Sequence, residues 1–314
     1  MKILITGGAG FIGSNVVDLY LDAGHEVVVV DDLSTGTERN LNPQAVFYKL
    51  DIRSPELQDL LDQEKPDCVN HHAAQASVSV SVKDPLKDAK INLLGLINLL
   101  EGSARNEVSK VIFASSGGCV YGEVEGSPPK EETPLGASSP YGVSKIASEY
   151  YLQYYRQQYG LSYTVLRYAN VYGPRQDPYG EAGVVAIFIN TILSGRRPTI
   201  NAARTIGDAG CTRDFVYVGD VARANLAALN TGDNEAINIG SGTETTIQHL
   251  YDLIAEEMGF AQKPRYGPPR PGDLFRNVLS YDKAEKILDW KPTADLRMGL
   301  GETVRYFATL KPPN

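Results

Sequence analysis

Short apolar runs alternate with longer amphipathic stretches along the first half of the chain. Lys2–Thr6 reads as a short buried strand, and Glu26–Val30, Val46–Leu50, Pro66–His71, Val111–Ala114 and Thr164–Tyr168 read as further strands. Between them lie helical patterns. Asn15–Leu21 is stopped by Gly24, and Ser54–Gln63 carries its own cap. Asp88–Ala104 puts Leu93, Leu96, Ile97 and Leu100 on one face. Ala147–Gly160 places Tyr151, Leu152, Tyr155 and Tyr159 at helical spacing. Repeated strand–helix alternation predicts an α/β fold with a Rossmann-type, doubly wound parallel sheet. Ligands then bind at the carboxyl ends of the strands.

From Gln176 the texture changes. Pro178, Gly180, Gly183, Gly195, Pro198 and a Gly207–Gly210 loop interrupt shorter apolar runs. Arg213–Val221 and Ala236–Gly240 read as returns to the first part. Pro264–Asp273 reads as a loop, Tyr281–Asp289 and Leu296–Phe307 as closing helices. The expected organisation is a first lobe over residues 1–175, with returns near 213–245. A smaller α/β lobe, mainly for substrate, then spans 176–314.

The first 32 residues carry a specific chemistry. A strand ends in Gly7, and Gly10, Phe11, Ile12 and Gly13 follow before a helix and a second strand ending in Asp31-Asp32. Missing side chains let a pyrophosphate approach the backbone, and a helix N-terminus supplies N–H donors and positive dipole. An acid after the second strand accepts from the adenine ribose hydroxyls and repels an extra 2′-phosphate. The cofactor expected is therefore NAD rather than NADP, and residues 1–175 become the NAD-binding lobe. Ala73 and Ala74, small residues after a strand end, leave room for a flat cofactor.

Bulk properties narrow the class. The 314 residues, 42% apolar and 22% charged, are ordinary globular composition and long enough for two lobes. A net charge of −8 argues against a dedicated nucleic-acid binder. Cys68, Cys119 and Cys211 are odd in number and far apart, so neither a disulfide framework nor zinc spacing is expected, and a reducing, cytoplasmic setting is. The run Ile3–Ile5 passes straight into glycines, which predicts no signal peptide, and no stretch has the length of a membrane helix. His71 and His72 are adjacent on a strand end and point to opposite sides, so no metal is expected.

Tyr141 and Lys145 are four apart, hence on one face of a helix. An ammonium beside a phenol favours the phenolate, a general base if a second positive charge helps. Alone, the pair is indistinguishable from an exposed helix with an incidental Tyr and Lys. The glycine turn changes that. Gly-x-x-Gly-x-x-Gly after Thr6 resembles the short-chain dehydrogenase/reductase superfamily, which also uses Tyr-x-x-x-Lys.

Over essentially its whole length the chain resembles the extended short-chain dehydrogenase/reductases of the NAD-dependent epimerase/dehydratase family. It looks most like the UDP-glucose 4-epimerases. Gly7–Gly13, Ser116, Tyr141 to Lys145, Leu166–Pro174, Arg213–Val216 and Arg270–Asp273 carry the likeness. The resemblance implies interconversion of UDP-glucose and UDP-galactose by transient hydride transfer to bound NAD. Ser116, Tyr141 and Lys145 would be catalytic, with Ser115 the rival hydroxyl. Asp51 and Ile52 would flank the adenine, and Asn92 and Tyr168 would neighbour the cofactor. Asn170, Arg213, Arg270 and Asp273 would hold a nucleotide diphosphate sugar, the two arginines on its phosphates. The alternative for either arginine is a surface ion pair with Asp214 or Asp273. Asn277 would help gate the substituent on sugar carbon 2.

Related dehydratases carry an Asp-Glu pair directly after the catalytic hydroxyl, and decarboxylating relatives a glutamate there. This chain has Gly117-Gly118, which cannot do acid–base work, so epimerisation is favoured. UDP-N-acetylhexosamine or UDP-uronate epimerases, and a dehydratase or reductase on the same scaffold, remain the alternatives. A non-catalytic NAD-binding subunit would have no need of all three catalytic residues. The resemblance also implies a homodimer through helices near 88–104 and 142–159. Residues 201–210 match no pattern of the family.

Overall fold

In a computed structural model of the chain, residues 1–179, 183–270 and 272–310 are described; Gly180 and Pro271 lie outside the described residues. Seven strands form one parallel sheet: β1 (Lys2–Thr6), β2 (Glu26–Asp31), β3 (Val46–Lys49), β4 (Cys68–His71), β5 (Lys110–Ser116), β6 (Ser162–Tyr168) and β7 (Glu235–Ile239). Their order is β7-β6-β5-β4-β1-β2-β3. This is the doubly wound Rossmann topology. The direction of winding reverses between β1 and β4, and a ligand crevice opens there at the carboxyl ends. Register fixes which residues rim it. Thr6 pairs with Val30 and His71, His71 with Phe113, and Ser116 with Tyr168.

Strand residues alternate between two cores, as the two-residue strand period requires. Ile3, Ile5, Val27 and Val29 face α1 (Phe11–Asp22) and a later helix, Val218–Ala228, through Val16, Val17, Tyr20 and Ala224. Leu4, Val28 and Val30 face the other side, against Leu57, Leu60 and Leu61 of α2 (Glu56–Glu64), Leu96, Leu99 and Leu100 of α3 (Gly95–Arg105), and Leu152 and Tyr155 of α4 (Pro140–Tyr159). Each such side chain contributes about 1.5–3 kcal/mol by leaving water. A third core gathers Val185, Phe188 and Ile189 of helix Val184–Leu193 with Leu250 and Ile254 of Ile247–Glu257 and Leu300 and Phe307 of Leu296–Thr309.

One helix differs from its sequence expectation. The one expected over 88–104 begins at Pro85, where the Asp84 side chain accepts Lys87 N–H at 2.9 Å and proline takes the first turn. It then widens into a single π turn at Lys90–Leu94 before α3. The residue thus inserted rotates the buried face from Leu93 and Ile97 towards Asn92, Leu96, Leu99 and Leu100. The tyrosine-rich helix, α4, expected to carry Tyr141 and Lys145, starts just before them at Pro140, capped by Ser139 accepting Gly142 N–H at 3.2 Å. It ends on Gly160 at φ +75°.

Candidate active site

The crevice is floored by the glycine turn. Gly7 has φ +73°, and a Cβ there would lie 2.6 Å from the backbone nitrogen of Ala73. A Cβ on Gly13 would collide with the Gly7 carbonyl. Gly10 caps α1 without a side chain, so the first-turn N–H groups at Phe11, Ile12 and Gly13 face an open approach. This cradle, at a helix N-terminus, fits a pyrophosphate. The acids after β2 divide the work. Asp31 is buried, accepts Ala9 N–H at 3.0 Å and Leu33 N–H at 2.9 Å, and its carboxyl is raised by burial. Asp32 is exposed, with one oxygen on Ser34 N–H. Asp51 is held below the usual carboxylate range by hydrogen bonds from Arg53. The Ile52 side chain packs inward, where a Cβ on Gly95 of α3 would meet it at 2.5 Å.

Beyond β4, Ala73 N–H donates to Thr6 Oγ1 at 3.2 Å, and His71 Nδ1 lies 2.6 Å from the same hydroxyl. The His71 ring stacks on Phe113, whereas His72 stacks on Tyr168 with its Nε2 3.2 Å from the phenol oxygen. Burial, then the charge of Lys145, pushes His72 down to about 3 and His71 down as well, so both imidazoles are neutral. Among the described residues no three His, Cys, Asp or Glu side chains converge to hold a metal.

β5 and the first turn of α4 bring three groups together. The Ser116 side chain lies near Tyr141, which is 8% exposed, and acts on the phenol against the effect of its burial. Lys145, 4% exposed, donates from Nζ to the Ala114 carbonyl at 2.7 Å and sits 4.6 Å from the Phe113 ring centre and 5.7 Å from that of Tyr141. Ser115 points elsewhere. Its hydroxyl donates to Glu149 Oε1 at 2.7 Å, and Glu149 is ion-paired with Arg167 at 2.6 Å. As the spacing alone implied, Lys145 does not suffice to ionise the phenol. Burial raises Tyr141 well above the ordinary phenol value, with Cys119 and Asp88 adding to it and Ser116 opposing. Burial also lowers Lys145 to about 8, against Asp88, Glu149 and Cys119. Burial disfavours the charged form of both groups; Lys145 keeps its ammonium below about pH 8, while Tyr141 needs a further positive charge to ionise.

The opposite wall comes from the later chain. Strand Thr212–Arg213 pairs with Arg276–Asn277, placing Arg213 beside Asn277. Asp214 does not pair with Arg213. It is fully buried and accepts from Ser241 N–H and hydroxyl, Gly242 N–H and Leu279 N–H. Its backbone carbonyl holds Asn170 N–H at 2.9 Å and Asn170 Nδ2 at 3.2 Å. Arg270 does not pair with Asp273 either. Its guanidinium faces the Asn201 side-chain amide, whose oxygen accepts at 3.0 and 2.6 Å once the amide is turned over. Asp273 is exposed; its charge and that of Arg213 both act on Cys211. Asn277, 6% exposed, donates to the Gly118 carbonyl at 3.2 Å while its Oδ1 is buried without a partner. A Cβ on Gly118 would lie 3.7 Å from both that oxygen and Ser116 Oγ. Gly118 thus lies between Ser116 and Asn277, within contact distance of both.

Sequence reasoning missed two members of this neighbourhood. Asn201, in the stretch without a family pattern, aims Arg270. Asp88, 0% exposed, accepts from Gln75, Asn92 and Ser144 directly behind the Tyr141–Lys145 turn. Its signal was its position four residues before Asn92 and eight before Leu96, on the face that is buried.

The NAD dependent epimerase/dehydratase family model matches residues 3–240, from β1 to just past β7. The chain belongs to this family. A family member from Thermotoga maritima, a UDP-glucose 4-epimerase solved with UDP-glucose, is 50% identical with a TM-score of 0.95, covering 98% of this chain and 99% of that one. The UDP-glucose 4-epimerase of Thermus thermophilus, solved with NAD, is 47% identical at a TM-score of 0.94, with the same coverage. The UDP-glucose 4-epimerase of Mycolicibacterium smegmatis is 44% identical over 313 residues, 98% of each chain. Family membership makes NAD the cofactor that the glycine cradle fits.

Proposed function

We propose that the chain is a UDP-glucose 4-epimerase, interconverting UDP-glucose and UDP-galactose. The observation that carries this is a Ser116–Tyr141–Lys145 cluster facing Gly117-Gly118, with no carboxylate at the two positions after the serine. Bound NAD would supply a reversible acceptor for the carbon-4 hydride and the second positive charge that Tyr141 needs. Tyr141 then holds the proton of the sugar 4-hydroxyl and returns it. Lys145 keeps the phenolate charge balanced, and Ser116 donates to the developing 4-keto oxygen, a contact stronger in the transition state than before it. Arg213 and Arg270 grip the diphosphate, since guanidinium forks match phosphate oxygens. Asn170 and Asp273 help fix the nucleotide end. The keto-sugar then swings about its phosphate linkage and presents its other face to the returning hydride.

On the cofactor side, Gly7 to Gly13 take the pyrophosphate, Asp31 and Asp32 the ribose, and Asp51 and Ile52 the adenine. Ala73, Ala74, Asn92 and Tyr168 line the nicotinamide end. Residues 1–175, with the returns near 213–245, form the NAD lobe, and 176–314 mainly the substrate lobe. Three unpaired thiols suit a cytoplasmic setting. Exposed Leu94 in the π turn and Val143, Tyr150 and Tyr154 of α4 support a homodimer through that face. The unpartnered Asn277 Oδ1 supports a second substrate, UDP-N-acetylglucosamine, whose amide N–H could donate to it.

Tyr141→Phe tests the assignment. The variant should co-purify with NAD, measured after acid release, yet lose UDP-galactose turnover. Retained turnover would show that the tyrosine role is wrong.

A further inference from the structure

Asp88 lies on the short helix Pro85–Ala89 that leads into the π turn. Its Oδ1 accepts from Gln75 Nε2 at 2.8 Å and Asn92 Nδ2 at 3.0 Å, and its Oδ2 from Ser144 Oγ at 2.6 Å. All three donors are neutral. The second buried carboxylate of this wall, Glu149, has Arg167 against it. Asp88 has no salt bridge among the described residues. A buried carboxylate without a cation is costly, and such groups persist where their charge is used. Lys145, next in the chain to Ser144, is the mirror case: a buried ammonium whose hydrogen bond goes to a carbonyl. Asp88 is the strongest of the charges that keep the proton on it.

We propose that Asp88 is a positioning residue for the Tyr141–Lys145 pair, its carboxylate serving as the counter-charge of the buried Lys145 and its three hydrogen bonds locking Ser144 and the wide turn that bears Asn92. The inference rests on the reading of Tyr141 and Lys145 as the catalytic pair. Asp88 does not activate the phenol, since its charge opposes ionisation of Tyr141. Its use is to hold Lys145 charged in a dry wall. The other groups acting on Lys145 are Tyr141 and Glu149 on α4, Cys119 on helix Gly117–Val120, and His71 and His72 after β4. Both histidines are neutral and Glu149 is offset by Arg167, which leaves Asp88 as the uncompensated charge.

Asp88→Asn separates charge from shape. An asparagine oxygen can accept from Gln75 and Asn92, while its NH2 faces Ser144, whose hydroxyl rotates to accept. The packing and hydrogen bonds survive and only the charge goes. The holoprotein is prepared with lysine labelled with 13C at Cε, and Lys145 is assigned by loss of its signal in Lys145→Met. The midpoint of the Lys145 titration should fall by about one pH unit or more in Asp88→Asn. Where UDP-galactose is turned over, the alkaline limb of kcat should move the same way while KM holds. Should Asp88→Asn not fold, Asp88→Ser also removes the charge, leaves a hydroxyl, and carries the same prediction. An unchanged Lys145 midpoint in either folded variant would overturn the proposal. Because this readout needs no turnover, it stands apart from failure of the epimerase reading, which would show as an inactive wild type.

Discussion

Alanine at each of the two adjacent serines of β5 asks which hydroxyl serves the sugar. Ser116 lies near Tyr141; on the proposed mechanism its removal takes away the donor to the developing 4-keto oxygen. Loss of one such donor lowers kcat by about 10²–10³-fold. Ser116 is only half-buried, so stability should change little. Ser115 is 3% exposed and spends its hydroxyl on Glu149 Oε1. That oxygen keeps a second donor, Arg167 Nε at 3.1 Å, so Ser115→Ala does not orphan a buried charge. Its cost is that of one hydrogen bond to a charged group, about 1.5–3 kcal/mol of stability, at the lower end because the ion pair remains. The assay is UDP-galactose turnover and thermal unfolding of the wild type and both variants at one pH. Ser116→Ala should keep its melting point and lose turnover. Ser115→Ala should melt lower and keep turnover within a few-fold. The opposite pattern, with Ser115→Ala inactive and Ser116→Ala near wild type, would refute the assignment.

Other perturbations have equally definite outcomes. Gly13→Ala drives a methyl into the Gly7 carbonyl at the cradle and should yield protein without co-purified NAD, read from the absorbance of an acid extract. Leu99→Ala, fully buried between α3 and the sheet, should cost about 2–5 kcal/mol in chemical denaturation without changing the substrate KM of the folded fraction. Lys145 is lowered to about 8, so its ammonium is present below that pH and lost above it. With NAD bound the nicotinamide charge lowers it no less, and turnover should fall as pH rises through that value, measured in initial rates across pH 6–10 (on the order of one unit either side for the transition). Asn201→Ala frees the Arg270 fork and should raise KM for UDP-galactose with kcat held.

The parallel sheet was readable because its strands are buried on both faces and so appear as short apolar runs separated by helices. Gly7 and Gly13 were readable because the turn packs too closely for a side chain at either, Gly7 against Ala73 and Gly13 against Gly7. Helix starts were less visible. Asp84-Pro85 and Ser139-Pro140 are cap-and-proline signals that lie upstream of the apolar periodicity used to mark the helices. The π turn at 90–94 leaves no periodic trace, since its effect is to shift the period, and it hid Leu99 from the expected face. Ser115 and Ser116 were equivalent as sequence. Only Glu149, brought in from α4, distinguishes them. The tyrosine was expected to ionise only with a second positive charge beside Lys145; how far burial raises it is a property of the packed wall and cannot be read from i, i+4 spacing. Arg213 and Arg270 were each as well placed for a neighbouring aspartate as for phosphate. The fold spends Asp214 on four backbone and hydroxyl donors and turns Arg270 to Asn201.

Epimerisation itself is read by incubating the purified protein with UDP-galactose and no added NAD, with products resolved by proton NMR. UDP-glucose should form until the two sugars reach equilibrium, with no accumulation of NADH, because the hydride lent at carbon 4 is returned to it. Absence of conversion, or a keto-sugar accumulating with stoichiometric NADH, would contradict a 4-epimerase that keeps its own NAD.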